Sequence, residues 1–118
     1  MNPTTALNRP ASRSRFIKQR VARTDEIPVG ATKQVDFEGE LVLLVNVDGE
    51  YLAISDRCSH ADASLSQGTR DGHHITCPHH GAKFDLRTGE ALTLPAVAPV
   101  ESFAVLVENG ELFLEEKE

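Results

Sequence analysis

The chain has 118 residues, enough for one domain with a modest core, and its 40% hydrophobic and 25% charged residues are ordinary for a water-exposed globular protein. Of its net charge of −6, the first 23 residues contribute six bases and no acid, while the other 95 carry six bases and eighteen acids. So acidic a body disfavours nucleic acid as a partner and suits docking onto a basic protein patch. With no apolar run near the roughly 18 residues of a membrane span, a cytoplasmic protein without membrane contact is expected.

The chain is predicted to open with a disordered basic leader over residues 1–14, rich in Pro, Ser, Thr and Asn. Residues 15–118 are expected to form the folded domain. Three hairpins are predicted. Glu38-Gly39 separates the apolar segments Val35–Phe37 and Leu41–Val47, Asp48-Gly49 separates the latter from Tyr51–Ile54, and Asn109-Gly110 separates Phe103–Val107 from Leu112–Leu114. No segment sustains a helical period, so the fold class is all-β. Between the outer strands lies an insertion, about residues 56–90, with short strands expected at His74–Thr76 and Lys83–Asp85. Pro95–Pro99 cannot be a central strand and is expected to be a rigid surface loop.

Both cysteines fall in the insertion and keep company with histidine: Cys58-Ser59-His60, then sixteen residues, then Cys77-Pro78-His79-His80-Gly81. Two thiolates and two imidazoles suit either one Zn²⁺ ion or an iron–sulfur cluster with mixed ligation. A zinc finger usually offers its cysteines as one pair and its histidines as another. Here Cys58 and His60 come from one loop, and Cys77 and His80 from the other. That order fits two irons, one taking both sulfurs and the other both nitrogens. Gly68, Gly72 and Gly81 would let the backbone approach closely.

The pattern C-x-H-x16-C-x-x-H resembles the Rieske [2Fe–2S] signature. The segments ISDRCSHADASLSQG and CPHHGAKFDLRTGEAL are similar to the ferredoxin components of bacterial ring-hydroxylating dioxygenase systems, a likeness running over about residues 15–116. The resemblance implies a Rieske fold of three antiparallel sheets, with an inserted cluster-binding subdomain over about residues 56–90. It implies one [2Fe–2S] cluster per chain, held by Cys58 and Cys77 on the inner iron and by His60 and His80 on the outer. It further implies a non-enzymatic electron carrier in aromatic-ring catabolism. Such a carrier takes single electrons from a flavin-containing, NAD(P)H-dependent ferredoxin reductase to a terminal oxygenase. A monomer is the default expectation. The alternative is a small Rieske-like subunit of a nitrite reductase or other redox complex.

Departures from other Rieske branches carry information too. Ala63 and His79 stand where proteins of cytochrome bc complexes have two further cysteines that form a disulfide. Ala82 and Phe84 stand where those proteins have hydroxyl donors. Loss of two hydrogen bonds of roughly 1–2 kcal/mol each lowers a one-electron potential by about 100–150 mV. A potential near the low end of the Rieske range, about −150 mV, is therefore expected. His79 is read as a neighbour of the cluster rather than a ligand, and His73 and His74 as solvent-exposed beside an Asp71-Gly72 turn. Asp56, Asp62 and Asp85 are read as surface charges. No catalytic residues are expected, because too few histidines remain for a separate mononuclear iron site and no dinucleotide fingerprint is present.

Overall fold

A computed structural model of the chain describes residues 17–59, 63–79, 81–94, 96 and 98–117. Nine strands follow in order: β1 (Lys18–Arg23), β2 (Thr32–Phe37), β3 (Glu40–Val47), β4 (Glu50–Ser55), β5 (Thr69–Asp71), β6 (His74–Thr76), β7 (Lys83–Asp85), β8 (Ser102–Glu108) and β9 (Glu111–Glu116). Two single-turn 3-10 helices, Thr24–Glu26 and Leu65–Gln67, are the only helical segments among the described residues. The expected leader, residues 1–14, lies outside the described residues.

All strand pairs are antiparallel. The order is β1-β9-β8-β4-β3-β2 in one six-stranded sheet and β5-β6-β7 in a second. The large sheet has a seam. β4 and β8 share only the pairs Ala53↔Phe103 and Ile54↔Ser102, whereas β2, β3 and β4, and likewise β8 and β9, pair along their lengths. The resemblance implies three sheets, but the described strands form two, because β1-β9-β8 and β4-β3-β2 are joined across that seam into one. At the outer edges, the Gln19 amide of β1 donates to the Asp36 carbonyl and accepts from the Glu38 N–H, both at 3.0 Å. These bonds tie the first strand of the sheet to the last.

The three hairpins form where the sequence predicts them. Glu38, Asp48 and Asn109 take φ of 55°, 53° and 51°, each followed by a glycine at positive φ. Two successive residues at positive φ give the primed turn whose twist matches a right-handed strand pair.

β3 decides where the cores lie. Its Val42 and Leu44 face one core, with Ala22, Val35, Phe37, Ala53, Phe103, Leu112 and Leu114; Leu43, Val45 and Val47 face the other, with Ile54, Leu65, Ile75, Phe84 and Leu86. A strand covered on both faces needs apolar residues at successive positions, which is why this segment reads as an unbroken run. Phe37 and Phe103 meet edge to face in the first core, with ring centres 5.5 Å apart. Cys58 and Cys77 belong to the second.

β1 is a strand that no sequence signal announces. Its cations are matched from β8 and β9: Lys18 Nζ lies 2.9 Å from Glu108 Oε2, and Arg20 Nε 3.0 Å from Glu111 Oε2. Part of the basic N-terminal charge is thus neutralised against the acidic body.

Candidate metal centre

The two Cys/His loops are built alike. In the first, the Cys58 N–H donates to the Ala63 carbonyl at 3.0 Å; in the second, the Cys77 N–H donates to the Ala82 carbonyl at 2.7 Å. Each cysteine stands at the foot of a loop that closes on the fifth residue after it. The four intervening residues include His60 in one loop and His80 in the other. Both histidines lie outside the described residues, as does Asp62.

The β-sheets fix both feet. β4 delivers the chain to Arg57, which bridges Ser64 across the first loop. β6 ends at Thr76 and β7 starts at Lys83, so the second loop is the hairpin between them. Gly81 takes φ +75°, a conformation that a side chain would strain, and so returns the loop towards Ala82. At Gly68 the need is different: a Cβ there would stand 1.9 Å from the Thr76 carbonyl oxygen.

Cys58 and Cys77 are 3% and 1% exposed, and neither is in a disulfide. Their neighbours Ser59, Pro78, His79 and Gly81 are all exposed. Sulfur therefore sits inside, and the described chain reaches solvent at the very next residue of each loop, Ser59 and Pro78. The Cys77 thiol is held above its ordinary range, first by burial, then by the adjacent Cys58 thiol; the His79 N–H, 3.4 Å from Cys77 Sγ, works the other way. Two buried thiols side by side, one already receiving an amide hydrogen bond, form a donor set suited to one thiophilic metal ion.

A second layer braces this arrangement. The Ser59 hydroxyl donates to the Ala98 carbonyl at 2.6 Å, which brings the proline-flanked segment against the first loop. Ala96 and Val100 of that segment are buried in the same core as the cysteines. Pro95 and Val97 lie outside the described residues.

The other expectations fare unevenly. His79 is exposed, and so is His74. His73 is not simply solvated: Gly72 and His73 form the turn, and His73 Nε2 lies 3.6 Å from Glu50 Oε1, which Arg87 Nη2 also approaches at 3.3 Å. Asp85 is half-buried and accepts the Arg87 N–H at 2.7 Å, so it shapes a turn. Asp56 is the clear correction. It is 2% exposed and no surface charge. Its carboxylate gathers donors from Gln34 on β2 and from Ser64 and Ser66, partners that only the fold brings near.

Residues 17–104 match the model of the Rieske [2Fe–2S] domain family. The chain is 40% identical over 95 residues to the 3-phenylpropionate/cinnamic acid dioxygenase ferredoxin subunit of Photorhabdus laumondii, covering 80% of this chain and 90% of that protein. Among solved structures it is similar to the ferredoxin of carbazole 1,9a-dioxygenase from Nocardioides aromaticivorans, with a TM-score of 0.81, 36% identity, and coverage of 85% of this chain and 98% of that one. It also matches the structure titled as a complex of reduced oxygenase and oxidized ferredoxin in carbazole 1,9a-dioxygenase, with a TM-score of 0.80, 33% identity, and coverage of 86% and 97%. A fold of joined antiparallel arrays, two alike loops with buried sulfurs at their feet, and these likenesses lead to one conclusion: the chain belongs to the Rieske [2Fe–2S] domain family, its cofactor is a Rieske-type two-iron cluster, and its close relatives are ferredoxin subunits rather than catalytic oxygenases.

Proposed function

We propose that this protein is the ferredoxin of a ring-hydroxylating dioxygenase system. It takes single electrons from a flavin-containing, NAD(P)H-dependent reductase and passes them to a terminal oxygenase. Cys58 and Cys77 would hold the inner iron, and His60 and His80 the outer. The bound cluster supplies a one-electron couple, and the chain supplies everything else.

The observation that carries this reading is the gradient of burial across the two loops. Cys58 and Cys77 are buried at the feet, while Ser59, Pro78, His79, Gly81, Ala98 and Pro99 are exposed around them. A metal pair held by Cys58 and Cys77 would have its thiolate end insulated from water, and His60 and His80 would complete it on the outer side. The exposed Leu94, three-quarters open to solvent, lies in the same stretch of chain as Ala98 and Pro99 and adds apolar contact area. Transient redox encounters need only a small, partly apolar patch. The acidic body favours partners that present a basic surface and speeds their approach.

Electron paramagnetic resonance of the dithionite-reduced protein tests the ligand set. Mixed nitrogen and sulfur ligation gives a low average g value, and one electron per chain should suffice for full reduction. His80→Ala should abolish or convert the visible spectrum, whereas His79→Ala should leave it intact. A silent reduced protein containing stoichiometric zinc would end the proposal.

A further inference from the structure

Among the described residues, buried polar or charged side chains are few: Asn46, Ser55 and Asp56. Asn46 serves its own turn, donating to the Ile27 carbonyl and accepting from the Gly49 N–H. Asp56 is different, because its bonds join separate parts of the fold. Oδ2 accepts from Gln34 Nε2 of β2 at 2.7 Å and from the Ser64 hydroxyl, while Oδ1 accepts from the Ser66 N–H at 2.7 Å. Its main chain adds two more: the Asp56 N–H donates to the Leu41 carbonyl at 3.0 Å, and the Leu65 N–H donates to the Asp56 carbonyl at 2.6 Å. One residue, two positions before Cys58, thus binds β2, β3 and the returning arm of the first loop.

Among the described residues every partner of the carboxylate is a donor, the environment a buried negative charge requires. Apolar packing could close the loop without stranding a charge inside. A carboxylate instead fixes the angle between the two arms, because its two oxygens impose directions that methyl groups do not. We propose that Asp56 is the positioning residue of the first loop. It sets the approach from which Cys58 reaches the cluster, and its buried charge opposes the arrival of an electron there. The inference rests on the ligand assignment proposed above. Buried charge acts at longer range than surface charge, since less water and salt screens it.

Asp56→Ala removes both clamp and charge. Asp56→Asn keeps the size and one carbonyl oxygen, and a turned Gln34 amide can accept from the new NH₂ group. Chelator-driven loss of visible absorption should be at least tenfold faster in Asp56→Ala than in the parent, but within about threefold of it in Asp56→Asn. At a fixed solution potential Asp56→Asn should raise the ratio of reduced to oxidised protein about threefold, an upward shift of about 30 mV at 59 mV per tenfold. Hydrogen exchange of residues 56–67, read by mass spectrometry, should quicken in Asp56→Ala whatever metal is bound. Should Asp56→Ala not fold, Gln34→Ala removes a single donor and should show an intermediate rate of cluster loss. Parental cluster retention and exchange in Asp56→Ala, or in Gln34→Ala where that variant replaces it, would overturn the clamp. A parental potential in Asp56→Asn would overturn the charge. If the parent itself lacks the expected resonance, the ligand assignment falls while hydrogen exchange still decides the clamp.

Discussion

The hydroxyl of Ser59 donates to the carbonyl oxygen of Ala98 across a sequence separation of 39 residues. It joins the residue after Cys58 to the segment between β7 and β8. Ser59→Ala breaks the bond and leaves an exposed carbonyl that water can satisfy. The cost should be about 1 kcal/mol. Iron release to a chelator should quicken roughly fivefold, while the global unfolding midpoint moves little, because the fold beneath Cys58 is untouched.

Cys77 makes metal loading depend on pH. Burial and the neighbouring Cys58 thiol raise its pKa, so the folded metal-free chain prefers the neutral thiol. Metal binding needs the thiolate and must release that proton. Cobalt or iron affinity of the metal-free protein should therefore fall about tenfold for each unit of pH lost per thiol. The sign for folding follows from the same shift. Stability due to the protonated thiol is complete below the ordinary value of 9.0 and is lost as pH rises from there through the raised value. Thermal melts of metal-free protein should decline above about pH 9 and those of the loaded form should not, since its thiols are already ionised.

Much of this molecule is legible in its residues, for identifiable reasons. Glu38-Gly39, Asp48-Gly49 and Asn109-Gly110 each encode a turn locally, and the structure builds a hairpin at every one. His74–Thr76 and Lys83–Asp85 are legible because Cys77 and Gly81 delimit them. β1 is not, since Lys18, Arg20 and Arg23 look like a solvated tail until Glu108 and Glu111 come alongside. Asp56 is illegible for the same kind of reason. Beside Arg57 it reads as surface, and only the pairing of β2 with β3 brings Gln34 over it.

Ala82 and Phe84 offer a way to move the potential upward. Both are fully buried in the core that holds Cys77, and Ala82 accepts the Cys77 N–H through its carbonyl. The double substitution Ala82→Ser with Phe84→Tyr introduces two hydroxyl donors in that core. Bonds to sulfur strengthen when the cluster gains an electron, so the potential should rise by roughly 100 mV from a parental value near −150 mV. A redox titration followed by visible absorption measures both. A parental potential above about +100 mV would show that donors beyond the His79 N–H already serve the sulfurs.

Gly68 is required by a close approach of two backbones rather than by its own dihedral angles. Its φ of −88° suits any residue, but an added Cβ would lie 1.9 Å from the Thr76 carbonyl oxygen and 3.2 Å from that of Leu65. Neither atom is the end of a flexible side chain. Relief requires β5 to move off β6, where Thr69 pairs with Thr76, and the residue after Thr76 is Cys77. Gly68→Ala should therefore cost about 2–3 kcal/mol, lowering the thermal midpoint by roughly 10–20 °C for a domain of this size. Because the strain falls on the strand that carries Cys77, iron content per chain should drop before the fold itself is lost. Denaturant unfolding and iron analysis of the same sample test both parts. A stability within about 0.5 kcal/mol of the parent would mean that the two strands can part without cost.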